Sequence, residues 1–236
     1  MKMTDKETDY QDDPQEGCQQ DPSLLQPESP ESYAERLYPV DEQLRLTREV
    51  LLTEGLPDIS VAPAYGRLLT LLVKMKGARR ILEIGALGGY SGICLARGLG
   101  PDGDLISLEI KEEFARVARA NLAAAGLAAR AEVRVGNARA SLVRLVEEGQ
   151  RFDFFFIDAD KENYLEYLDR ALELSNPGAV IVADNTFMTG KALDPSRTGP
   201  GVRGIRRFNE LVAVHPRLES TMLPAYDGLT IARVRE

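Results

Sequence analysis

The stretch ILEIGALGGYS, from Ile81 to Ser91, constrains this chain more than any other. Ile81, Leu82 and Ile84 form a short apolar run suited to a strand buried on both faces, as in a parallel sheet. Gly85, Gly88 and Gly89 then permit a tight turn and a close approach of backbone to ligand at the N-terminus of the following helix. A nucleotide-type ligand is the natural reading of such a turn, and the rest of the chain decides which one.

Apolar runs and helical patterns alternate on both sides of that turn. Brief helical patterns through Tyr33 and Leu37, then through Leu44, Val50 and Leu51, precede a helix that opens at Pro63 and leads through Gly77 into the first strand. After the turn, Ile93, Cys94, Leu95 and Leu99 mark a helix, and Pro101-Asp102-Gly103-Asp104 turns the chain into a second strand over Leu105–Ile110. Next come a helix over Lys111–Ala125, a third strand over Ala131–Val135, a helix through Leu142 and Leu145, and a fourth strand over Phe152–Ile157. A helix over Asn163–Leu174, a turn at Asn176-Pro177-Gly178 and a fifth strand over Ala179–Ala183 complete the series. The alternation predicts an α/β fold with a doubly wound, Rossmann-like, mostly parallel sheet. Leu218–Leu223 and Leu229–Val234, joined through Asp227-Gly228, predict an antiparallel pair at the C-terminal edge. Gly190–Gly204 is too long and polar for an ordinary connection and is a candidate substrate loop, with a helix over Ile205–Val214 behind it. Residues 1–31 are rich in Asp, Glu, Gln and Pro and are expected to be a disordered acidic tail, which leaves 32–236 as a single domain.

Composition narrows the function. With 37 acidic against 29 basic residues the net charge is -8, and no basic cluster is interleaved with aromatics, so nucleic acid is excluded as a partner. No segment approaches the roughly 18 uninterrupted apolar residues of a membrane span. Cys18 and Cys94 offer neither a disulfide framework nor metal-ligand spacing, and a reducing cytoplasm is the expected setting. His215, the one histidine, precedes Pro216 between helix and strand and reads as a surface turn residue.

Leu87 occupies the second glycine position of a dinucleotide fingerprint, so the pyrophosphate pattern fails. Glu109 closes the second strand, where a carboxylate can accept hydrogen bonds from both hydroxyls of a ribose. With Glu83 placed to meet an ammonium group, S-adenosylmethionine fits better than a dinucleotide. In these features the chain resembles the class I S-adenosylmethionine-dependent methyltransferases. In that group the residues after the third strand, here Gly136-Asn137-Ala138, bracket the adenine. The relatives usually carry Asp at position 137. Asn137 either accepts from the adenine amino group through its amide oxygen or caps the next helix, and both readings stay open.

Asp158-Ala159-Asp160-Lys161 follows the fourth strand and Asp184-Asn185 the fifth. Adjacent parallel strands would bring these groups together at the carboxyl edge of the sheet, where ligands of such folds bind. Asp158, Asp184 and Asn185 offer three hard oxygen donors with no His or Cys, a set that suits magnesium, or calcium or manganese, over zinc. The competing reading is that they only cap the next helices. The combination of the glycine turn, Asp-Ala-Asp-Lys-Glu-Asn-Tyr at 158 to 164, Asp184-Asn185-Thr186, Gly190-Lys191 and Leu223-Pro224 leading to Asp227-Gly228-Leu229-Thr230 is similar to the cation-dependent O-methyltransferases of the caffeoyl-CoA and catechol type, bacterial branch. That resemblance, over about Pro63 to Arg233, implies that Asp158, Asp184 and Asn185 hold a divalent cation, that Lys161 is the general base, and that a vicinal diphenol accepts the methyl group. It implies donor contacts at Glu83, Gly85, Ser91, Glu109 and Ala138, with Asp158 near the methionine end, and a homodimer. Val61, Tyr65, Met188 and Tyr226 depart from the relatives' pattern, and with Phe187 they are candidates for a reshaped acceptor pocket. A methyltransferase that needs no metal and a non-catalytic adenosine-binding module are the alternatives.

Overall fold

The computed structural model describes residues 28–235, so of the tail expected over residues 1–31, residues 1–27, with Cys18, lie outside the described residues, and Pro30 and Glu31 belong to a helix. β4 (Phe152–Ile157) stands at the middle of a seven-stranded sheet of order β3-β2-β1-β4-β5-β7-β6. Its neighbours are β1 (Arg80–Ile84), β2 (Asp104–Glu109) and β3 (Ala131–Val135) on one side, and β5 (Ser175–Asp184), β7 (Leu229–Val234) and β6 (Leu218–Leu223) on the other. Strands β1 to β5 run parallel, and β7 is antiparallel to both β5 and β6.

The central strand is apolar towards both faces because both are covered. Phe154 and Phe156 pack with α3 (Pro63–Lys76), α4 (Tyr90–Gly98) and α5 (Glu112–Ala124). Phe155 and Ile157 pack with α6 (Ala138–Glu147), α7 (Tyr164–Leu174) and α8 (Pro200–Val214). All four are fully buried, and burying each such side chain stabilises the fold by roughly 2–3 kcal/mol. Two further helices, α1 (Pro30–Arg36) and α2 (Glu42–Thr53), precede α3. Helix α1 opens at Pro30 with Ser29 as its cap, two residues ahead of the helical pattern expected from Ser32.

Two other boundaries differ from expectation. Asn176-Pro177-Gly178 lies inside β5, where the pairing with β4 shifts register between Phe152 and Phe154. Gly178 at φ 70° absorbs the extra residues as a bulge instead of ending the strand. Helix α8 begins at Pro200, five residues before Ile205, with proline in its first turn. The strand order reverses between β1 and β4, and that switch point places the open crevice at their carboxyl ends.

Candidate active site

A cavity of about 790 Å³ opens at that edge. Gly85, Ser91, Glu109, Asn137, Ala138 and Asp158 line it, together with Lys161, Asn185, Met188, Thr189 and Asp227. Gly85 must be glycine: it has φ 98°, and a Cβ there would stand 2.0 Å from the Asp158 carbonyl oxygen. The turn thus lies directly on the end of β4. Glu109 holds it in shape, since its Oε2 accepts from the Ala86 and Leu87 amides at 3.2 and 2.9 Å and its Oε1 from the Lys111 amide at 3.0 Å. A carboxylate has about four acceptor positions, and these three amides leave Glu109 one for a further donor such as a ribose hydroxyl.

Asn137 lines the cavity and also caps α6, its Oδ1 accepting from the Arg139 and Ala140 amides at 3.0 and 3.4 Å. The capping reading is therefore realised, and the amide oxygen is already engaged where an adenine would approach.

Glu83 does not reach the cavity. Alternation along β1 turns its side chain with Ile81 towards α4, not off the strand end. Its two oxygens accept from the Ser91 and Ser107 hydroxyls, each at 2.5 Å. Glu83 is fully buried. Burial pushes its carboxyl up to about 7, the charges of Asp158 and Glu109 add to this, and the two serine hydroxyls oppose it. It buttresses the turn through Ser91 and is not among the residues that line the cavity.

At the far side, register places Ile157 beside Ala183, so Asp158 and Asp184 leave adjacent strands side by side. Asp184 is raised to about 7 by burial and then by the charge of Asp158. Asn185, which follows, lines the cavity and has φ 53°, a left-handed conformation that asparagine adopts more readily than most residues. Lys161 sits on a 3-10 turn (Lys161–Asn163) and donates from Nζ to Asp158 Oδ1 at 3.2 Å, to the Asp184 carbonyl at 3.1 Å and to the Tyr164 hydroxyl. Tyr164, buried in α7, in turn donates to the Asp184 and Ile157 carbonyls at 2.9 and 3.2 Å. The hydroxyl therefore fixes Lys161 relative to both strand ends.

Several features were not legible as site residues. Gly201 and Gly204 bring α8 against the Lys161 turn: a Cβ on Gly204 would meet the Lys161 carbonyl at 2.5 Å. Proline after Gly199 signals that helix start, whereas the close approach carries no sequence signal. Of the expected substrate loop over Gly190–Gly204, residues 190–199 do not line the cavity and the remainder opens α8. Arg206 instead gathers the carbonyls of Lys191, Ala192, Asp194 and Arg197. Met188 and Val61 line the cavity, while Phe187, Tyr65 and Tyr226 do not.

A doubly wound sheet whose switch-point crevice joins a glycine turn to a lysine and the strand-end carboxylate of Asp158, with Asp184 buried behind them, can take a nucleoside-bearing ligand and a second small molecule. Residues 34–235 match the O-methyltransferase family, and the chain belongs to it. A catechol O-methyltransferase of Niastella koreensis is 44% identical over 201 residues, covering 83% of this chain and 91% of that protein. A catechol O-methyltransferase of Mycobacterium tuberculosis is 44% identical over 185 residues, covering 76% and 83%. The Bacillus cereus O-methyltransferase, solved in complex with SAH, superposes with a TM-score of 0.81 at 45% identity and covers 86% of this chain and 94% of that one.

Proposed function

We propose that the chain transfers the methyl group of S-adenosylmethionine to one hydroxyl of a vicinal diphenol, with a divalent cation bound by Asp158, Asp184 and Asn185. The observation that carries this reading is the juxtaposition, in one cavity, of the Gly85–Ser91 turn and Glu109 with Lys161 and Asn185. The donor set fits a hard cation. Two carboxylates and an amide, with no thiolate or imidazole among them, are oxygen donors of the kind magnesium prefers. After burial, the neighbouring Asp158 charge adds to the cost of ionising Asp184, a cost that a bound cation would offset. A cation bound there lowers the pKa of a coordinated phenol hydroxyl.

This chain's own residues do the rest. Glu109 orients a ribose, and the Gly85 turn allows the donor to lie against backbone. Lys161 Nζ, held by Tyr164 and the Asp184 carbonyl, is placed to take the proton of the attacking hydroxyl, for which it must enter the reaction as the neutral amine with its ion pair to Asp158 released. Met188 and Val61 give the acceptor an apolar wall. Aligning the two reactants removes much of the barrier, on the order of several kcal/mol. The relatives named as catechol O-methyltransferases support the acceptor class. A homodimer fits the exposed Leu71 and Met75 on α3.

One observation favours a second reading. The Lys161–Asp158 ion pair at 3.2 Å already offsets part of the negative charge, so a metal-free methyltransferase would use the carboxylates to orient its acceptor. Labelled donor supplied with Mg²⁺ and a panel of catechols, caffeoyl esters and matching monophenols separates the two. The expected result is turnover confined to vicinal diphenols, because only two adjacent oxygens can share the cation and Lys161. Equal turnover of the monophenols would establish the second reading instead.

A further inference from the structure

Helix α1 has seven residues and none is buried, so no apolar face holds it to the domain. A single carboxylate does much of that work. Glu35 Oε1 accepts from the Ala64 amide at 2.7 Å and the Tyr226 hydroxyl at 2.8 Å, and Oε2 accepts from Arg67 at 2.8 Å. The Ala64 contact satisfies a first-turn amide of α3, whose own N-cap, Ala62, contributes no side-chain bond. Tyr226 belongs to the turn between β6 and β7. Its ring meets Tyr65 edge-on at 4.9 Å, and Tyr65 donates to the Ala225 carbonyl at 2.5 Å.

The other side of the same turn holds the acceptor end of the cavity. Asp227 accepts from the Thr189 amide through Oδ1 at 2.6 Å and from the Phe187 amide through its carbonyl at 2.9 Å. The Gly228 carbonyl accepts from the Thr186 amide at 3.2 Å. Both segments are strained. Of the five non-glycine residues with positive φ among those described, four lie here: Asn185, Met188, Thr189 and Tyr226. Such conformations are costly for a residue other than glycine and persist only where the surroundings hold them. Met188, Thr189 and Asp227 line the cavity.

We infer that Glu35 is a positioning residue: through Tyr226 it holds the Asp227 turn against Phe187–Thr189 and so fixes the acceptor half of the cavity from a helix that does not line it. The inference rests on the proposed acceptor reaction for its kinetic consequence but not for its structural one. Tyr226→Phe removes the latch hydroxyl and keeps the ring on Tyr65. Glu35→Ala removes the carboxylate, and the double variant tests whether both act through one contact.

Each variant is expected to raise the acceptor KM about tenfold, the size of one lost hydrogen bond at about 1.4 kcal/mol. Saturated kcat and the donor Kd from calorimetry stay within about twofold, and the double variant is no worse than Glu35→Ala. Hydrogen exchange at the Phe187 and Thr189 amides is expected to quicken about tenfold in Tyr226→Phe, a readout that needs no turnover. Unchanged exchange at these amides overturns the inference, as does faster exchange with an unchanged acceptor KM. Donor affinity and kcat falling together with thermal stability would show a merely structural contact and also overturn it. If the parent protein turns over no acceptor but exchange still quickens, the latch stands and the proposed reaction falls.

Discussion

Lys161→Ala is expected to lower kcat by about 10²–10⁴-fold, the usual contribution of a positioned general base, while leaving donor affinity unchanged. Lys161 lines the cavity and is held by Asp158, Tyr164 and the Asp184 carbonyl. The same contacts would suit a lysine whose only task is to balance the two carboxylates. Lys161→Arg separates these roles, because guanidinium keeps the charge and does not give up its proton near neutral pH. If Lys161 takes the acceptor's proton, both variants are inactive in steady-state assays with saturating donor and acceptor. If it only balances charge, the arginine variant retains most of the activity.

The second large effect concerns stability. Burial pushes the Glu83 carboxyl from an ordinary 4.5 up to about 7, so the folded state binds this proton more tightly than the unfolded chain. The stability gained from protonated Glu83 is therefore full below the unfolded value and is lost as pH rises through about 7. The whole interval corresponds to about 3 kcal/mol. Glu83→Gln cannot ionise and still offers an acceptor and a donor to Ser91 and Ser107. Denaturant melts of both proteins at pH 5 and pH 8 are expected to show the variant gaining on the parent by up to about 3 kcal/mol at the higher pH. Taking the difference between the proteins cancels the other titrating groups. An equal difference at the two pH values would mean that Glu83 is not protonated by burial.

Much of this architecture is readable from local pattern. The strand series predicts the sheet, Gly85 marks the place where backbone meets backbone, and the paired strand ends of Ile157 and Ala183 carry Asp158 and Asp184 to one edge. Glu83 escaped because a strand residue's direction depends on which face it shares: one position before the strand's end, it points at α4 and not at the ligand. Pro177 escaped because a bulge, a tertiary accommodation, keeps Asn176-Pro177-Gly178 within β5. The Glu35–Tyr226 bond joins residues 191 positions apart, and no periodicity encodes such a pairing. Asn137 had two compatible roles, and only the positions of the Arg139 and Ala140 amides reveal that it caps α6.

In the proposed two-part site a divalent cation at Asp158, Asp184 and Asn185 would work beside a bound methyl donor. Methyl transfer from labelled S-adenosylmethionine to a vicinal diphenol, measured with EDTA and again after Mg²⁺ is restored in excess, tests it most directly. Transfer is expected to fall to background in the chelator and return with the cation; undiminished transfer in EDTA would contradict the account.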